Sequence, residues 1–92
     1  MKIKLQYTTQ LKVALGLAEE EVTMADGCTL PELFSYLAST HGQPFTEHVL
    51  DAQGQLRPAI IVCVNDCQVD LSKEAVLDDG ATVTLLSAIS GG

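Results

Sequence analysis

The chain alternates between two hydrophobic periods. Lys2-Ile3-Lys4-Leu5-Gln6-Tyr7 repeats every two residues, with Ile3, Leu5 and Tyr7 on one side, which predicts a half-buried strand. Thr8 to Gly16 then reads as a short helical turn closed by the glycine. Glu20-Glu21-Val22-Thr23-Met24 returns to period two, with Val22 and Met24 inward and the acids outward, and stops at Asp26-Gly27. From Leu30 the period lengthens: Leu30, Leu33, Phe34, Leu37 and Ala38 make one apolar stripe at helical spacing. Thr29 and Glu32 have capping-box spacing, Pro31 sits in the first turn where its missing N–H costs nothing, and Gly42 with Pro44 ends the helix.

The second half is more broken. Residues 43–58 lack a clear period, although a helical stretch fits Phe45 to Leu50, and Asp51-Ala52-Gln53-Gly54 carries turn residues. Ala59 to Val64 is a continuous, mostly β-branched run, expected as an interior strand buried on both faces. Asn65-Asp66 tolerates positive φ and predicts a tight hairpin into Cys67-Gln68-Val69. Asp78-Asp79-Gly80 makes a turn before the last strand, Thr82 to Leu86. The order is strand, strand, helix, strand, short strand, strand. It predicts an α+β domain over residues 1–86, a mixed sheet of four to five strands with one main helix on one face, and a flexible tail over 87–92.

Length limits what such a domain can do. The 92 residues suit one domain with one modest core and a radius of gyration of roughly 12 Å. A deep internal active site is hard to build at that size, so any chemistry belongs at a surface, a terminus or a partner. Twelve acids against five bases give a net charge of −7, which disfavours nucleic acid and anionic membrane as partners and suits a basic protein surface. No apolar run approaches the ~20 residues of a membrane span, and the first residues are no signal peptide, so a cytoplasmic place is expected. The three cysteines, Cys28, Cys63 and Cys67, are an odd set without redox or zinc spacing and are expected as reduced, inert thiols.

Catalytic groups are sparse. His41 and His48 have no acid or cysteine at ligand spacing, so no metal site is expected. Glu19-Glu20-Glu21 reads as a solvated edge. The feature that stands out is the ending, Ser87-Ala88-Ile89-Ser90-Gly91-Gly92. Fully extended, these last residues reach about 20 Å. A glycine pair can enter a narrow slot and take either sign of φ. The terminal carboxylate is a poor acyl donor until a partner converts it to an acyl-adenylate. On this reading the chain is not an enzyme: it offers its own terminus as substrate.

Several pieces then resemble one family. They are Leu5-Gln6-Tyr7, Asp26-Gly27-Cys28-Thr29-Leu30 with Leu33 and Leu37, Leu56-Arg57-Pro58, Val62-Cys63-Val64-Asn65-Asp66, Asp79-Gly80-Ala81-Thr82-Val83-Thr84-Leu85-Leu86, and Ala88-Ile89-Ser90-Gly91-Gly92. In this order they resemble the ubiquitin-like sulfur carriers, the MoaD/ThiS-type proteins that include the small subunit of molybdopterin synthase. Thr8, Asp66 and Ser87 stand where that family often has an aromatic residue, glycine and proline.

The resemblance implies a ubiquitin-like β-grasp fold and a mechanism. A ubiquitin-activating-type adenylyltransferase would use ATP to adenylylate Gly92, sulfur would replace AMP to leave a thiocarboxylate, and a sulfur-accepting synthase would take that sulfur for molybdopterin, thiamine or a similar product. No cofactor is bound stably in this scheme. Ile89, Ser90 and Gly91 would thread the tail into the partner, and Leu85, Leu86 and Ile89 would form an exposed apolar docking area beside it. Two other readings use the same residues: a ubiquitin-like modifier joined to proteins through Gly92, or a β-grasp binding module with an incidental tail.

Overall fold

The computed structural model describes residues 1–69 and 76–87, without the side chains of Thr9 and Ser87. Five strands, β1 (Lys2–Tyr7), β2 (Glu19–Thr23), β3 (Ile60–Val64), β4 (Cys67–Gln68) and β5 (Thr82–Ser87), form one sheet in the order β2-β1-β5-β3-β4. Only β1 and β5 run parallel; the other pairs are antiparallel. Helices α1 (Thr9–Leu15), α2 (Leu30–His41) and α3 (Gln43–Val49) complete a mixed five-stranded fold of the ubiquitin-like β-grasp type, with a radius of gyration of 12.2 Å. The first and last strands lie side by side at the centre, as their apolar patterns require.

Period-two burial places the core. Ile3, Leu5 and Tyr7 of β1, Val22 of β2, Val62 of β3 and Val83 and Leu85 of β5 are buried together with Leu30, Leu33, Phe34 and Leu37 of α2. Phe45 and Val49 of α3 and Leu11 of α1 close the same cluster, so two short helices extend the cover that α2 provides. At the start of α2 the Thr29 N–H donates to the Glu32 carboxylate at 3.2 Å, the reach-back half of the expected capping box. Gly42 has φ 69° and ψ −139°, which ends α2 and at once starts α3, with Pro44 in its first turn.

Two expectations for the second half change. The apolar run of β3 is buried on one face only: Ile60 and Val62 are in the core with half-buried Val64 packed against it, whereas Ile61 and Cys63 are half-buried on the outer side, which no helix among the described residues covers. The final strand extends through Ser87, one residue further than its composition suggests. The hairpin forms as expected, with Asn65 at φ 51° and Asp66 at φ 70°. Asn65 also ties the hairpin to β5, since its side-chain oxygen accepts from the Thr82 N–H at 3.0 Å.

Candidate functional site

The expected reactive group, Gly92, and the threading residues Ile89, Ser90 and Gly91 lie outside the described residues. What the structure defines is the base from which that segment leaves. β5 is held on both sides, by β1 through Tyr7↔Leu85 and by β3 through Val62↔Leu85, Ile61↔Leu86 and Ile60↔Ser87. The Thr8 hydroxyl adds a bond to the Leu85 carbonyl at 3.3 Å. A central strand with both edges paired is the most constrained place in a sheet, so the last described residue is set on a rigid base.

The expected docking residues separate at this base. Leu85 is 0% exposed and packs in the core, so it offers no surface, contrary to expectation. Leu86 is half-buried on the opposite face, paired with half-buried Ile61. The reason is the strand period: Val83 and Leu85 share the inner face, and the next residue must point out. Cys63 and Thr84 pair beside Leu86 and Ile61 on that outer face, and the Thr84 hydroxyl donates to the Gln6 side-chain oxygen at 3.0 Å. The outer face at the end of β5 is therefore a small apolar patch, Ile61 and Leu86, with polar neighbours.

Beneath the base lies a cluster that sequence reading misses. Glu20, expected as part of a solvated edge, pairs with Leu5 in the β1–β2 ladder and so points to the inner face. Its Oε2 accepts from the Tyr7 hydroxyl at 2.6 Å and from His41 Nε2 at 2.6 Å. The His41 ring meets Tyr7 edge-on at 6.3 Å and stacks near Phe45 at 6.4 Å. Burial, and then the hydrogen bond and charge of Glu20, hold the Tyr7 phenol protonated well above its usual range. Glu19 and Glu21 do behave as an outer edge, pairing with Lys4 at 3.6 Å and Lys2 at 3.7 Å. The only early signal for Glu20 is parity: it lies two residues before buried Val22.

Among the described residues Cys28, Cys63, Cys67 and His48 are not brought together into one cluster. Cys28 is buried, its thiol donates to the Thr29 carbonyl at 3.2 Å, and burial followed by the nearby Glu32 charge raises its pKa. Cys63 and Cys67 are free, and because Cys63 pairs with Gln68 and Val64 with Cys67, the two thiols face opposite sides of the hairpin. His48 donates from Nδ1 to the Pro44 carbonyl at 3.0 Å. Among the described residues no group of three histidine, cysteine or acid side chains is arranged to hold a metal, and no helix is long and apolar enough to cross a membrane.

Comparison with known proteins adds the family. Among curated proteins none matches the chain significantly. The fold is shared with SAMP1 from Haloferax volcanii, 22% identical, with a TM-score of 0.85 and all of both chains covered. It is shared with Urm1 from Trypanosoma brucei, 26% identical, with a TM-score of 0.80 and coverage of 99% of this chain and 95% of that one. CysO or BexX, as solved in the BexX/CysO complex of Amycolatopsis orientalis, gives 32% identity, a TM-score of 0.72 and coverage of 98% and 99%. The family model described as Urm1 (ubiquitin related modifier) matches residues 2–92, and the chain belongs to that family of ubiquitin-like sulfur carriers and modifiers.

Proposed function

We propose that this protein is a sulfur carrier whose Gly92 carboxylate is the reacting group. A ubiquitin-activating-type adenylyltransferase joins that carboxylate to AMP from ATP, releasing pyrophosphate. Hydrosulfide-level sulfur then displaces AMP and leaves a thiocarboxylate, which a sulfur-accepting synthase consumes in cofactor or metabolite biosynthesis. The observation that carries this reading is a family match that runs to Gly92, on a chain ending Gly91-Gly92 after a strand paired on both edges. ATP acts at the partner, so the chain itself needs no resident cofactor.

The outer face supports partner docking. Ile61 and Leu86 provide apolar area directly beside the departing segment. A 32%-identical relative comes from a two-protein complex, BexX with CysO, which fits a carrier that works docked to another protein. The acidic balance of −7 favours a basic surface on that partner.

The family description favours a second reading, conjugation to lysines of other proteins through Gly92. Denaturing lysates separate the two. The carrier reading expects only the free chain and its thiocarboxylate; lysine-linked adducts that vanish when Gly92 is deleted would establish the modifier. A chain that keeps full activity without Gly91 and Gly92 would refute both and leave a binding module.

A further inference from the structure

β2 stands at one end of the sheet order and pairs only with β1. Which of its peptide groups face the open side follows from the ladder. At one end the Tyr7 N–H donates to the Ala18 carbonyl at 2.7 Å. At the other the Met24 N–H donates to the Met1 carbonyl, and the Met1 amine to the Met24 carbonyl, both at 2.8 Å. Antiparallel pairs alternate between bonded and non-bonded. Counting inward from either end gives the same result: Glu20 and Val22 bond to Leu5 and Ile3, and the N–H and C=O groups of Glu19, Glu21 and Thr23 point away from β1. β1 agrees, because its other residues turn toward β5: the Lys4 N–H donates to the Ala81 carbonyl, and the Lys2 carbonyl accepts from Gly80. Among the described residues no hydrogen bond reaches the outward groups of Glu19, Glu21 and Thr23.

The side chains of the same residues set what can pair there. Glu19, Glu21 and Thr23 are exposed and alternate with Glu20 and buried Val22, so they share the outer face. Glu21 meets Lys2 through Oε1 at 3.7 Å and Glu19 meets Lys4 through Oε2 at 3.6 Å, which leaves each carboxylate one oxygen without a cation among the described residues. A second copy of β2 laid antiparallel on this edge, centred on Glu20 or Glu21, sets carboxylate against carboxylate, and like charges directly opposite destabilise a strand pair. A strand with basic side chains at alternate positions carries no such cost.

We propose that the free edge of β2 is a docking site for an extended basic segment of another protein. The segment adds to the sheet as a further antiparallel strand, its backbone bonded to Glu19, Glu21 and Thr23 and its basic side chains across from Glu19 and Glu21. This surface is separate from the patch of Ile61 and Leu86, since β1 stands between β2 and β5. Docking there uses neither Gly92 nor ATP, so it is independent of whether the chain carries sulfur or is conjugated.

Amide NMR spectra of the full chain, titrated at low salt with a capped peptide that alternates arginine and valine, test this. Shifts should concentrate at Glu19, Glu21 and Thr23, and those amides should exchange with solvent more slowly when the peptide is bound. The Glu19→Gln, Glu21→Gln double variant should bind about fivefold more weakly. In an antiparallel pair the arginine amides face β2 and the valine amides face away. N-methylation of the arginine amides should therefore abolish the shifts, and N-methylation of the valine amides should preserve them. Equal binding by all three peptides would reduce the edge to an acidic patch and overturn the proposal. So would shifts centred on Ile61 and Leu86, or Glu19, Glu21 and Thr23 signals that follow the chain's own concentration without peptide.

Discussion

Glu20 on β2 and His41 at the end of α2 lie 21 residues apart in the chain and meet at 2.6 Å, through the same carboxylate oxygen that accepts the Tyr7 hydroxyl. Tyr7 is in turn the ladder partner of Leu85 on β5. One carboxylate on β2 thus ties β1 and the main helix together, next to β5, the strand that leads toward the proposed reacting group, Gly92. Replacing Glu20 by alanine leaves a buried hydroxyl and a ring N–H without partners and should cost about 2 kcal/mol in urea denaturation. Glu19→Ala and Glu21→Ala break only exposed ion pairs and should each cost less than about 1 kcal/mol. Equal effects at the three positions would show that the cluster contributes nothing special.

The Tyr7 phenol has a defined pH signature. Its pKa is raised in the folded state, so its contribution is fully present below the unfolded value near 10 and is lost as pH rises above it. In that window the unfolded chain releases a proton that the folded chain keeps, and stability falls by up to about 1.4 kcal/mol per pH unit. Tyr7→Phe should flatten this alkaline slope, while Tyr36 is present in both chains and cancels. Denaturation curves between about pH 9 and 11 give the comparison.

Leu85 and Leu86 should separate stability from function. Leu85→Ala opens a cavity in the core and should cost about 3 kcal/mol, lowering Tm by more than 10 °C at roughly 4–8 °C per kcal/mol. Leu86→Ala on the outer face should cost less than about 1.5 kcal/mol yet raise the chain concentration an activating partner needs for half-maximal rate. Thermal melts and initial-rate kinetics on the two variants distinguish these outcomes.

Much of this fold is legible in the sequence because its cues are local. The stripe Leu30, Leu33, Phe34, Leu37 and the flanking Thr29 and Gly42 fix α2 from within one segment, and Ile3, Leu5 and Tyr7 do the same for β1. Leu85 is legible by the same local rule, since strand parity from Val83 sends it inward. Glu20 illustrates a cue that is not local. Its surroundings come from the register with Leu5 and the end of a helix 21 residues on, and an acidic run by itself gives no reason to bury one member.

The cysteines should react in the order of their exposure. Under limiting iodoacetamide near neutral pH, Cys67 on the hairpin is alkylated first, half-buried Cys63 second, and buried Cys28, whose thiol is also held protonated, last. Peptide mass spectrometry over a time course reads the order, and early labelling of Cys28 would mean that the start of α2 opens readily.

On the proposed function, Gly92 carries the sulfur. Its most direct test is the intact mass of the chain after incubation with ATP, a ubiquitin-activating-type adenylyltransferase and a sulfur donor. A gain equal to the replacement of one oxygen by sulfur is expected, located by fragmentation at Gly92, dependent on ATP, and absent from a chain lacking Gly92. A partner that binds the chain and leaves its mass unchanged under these conditions, or sulfur located on Cys63 or Cys67 instead, would contradict it.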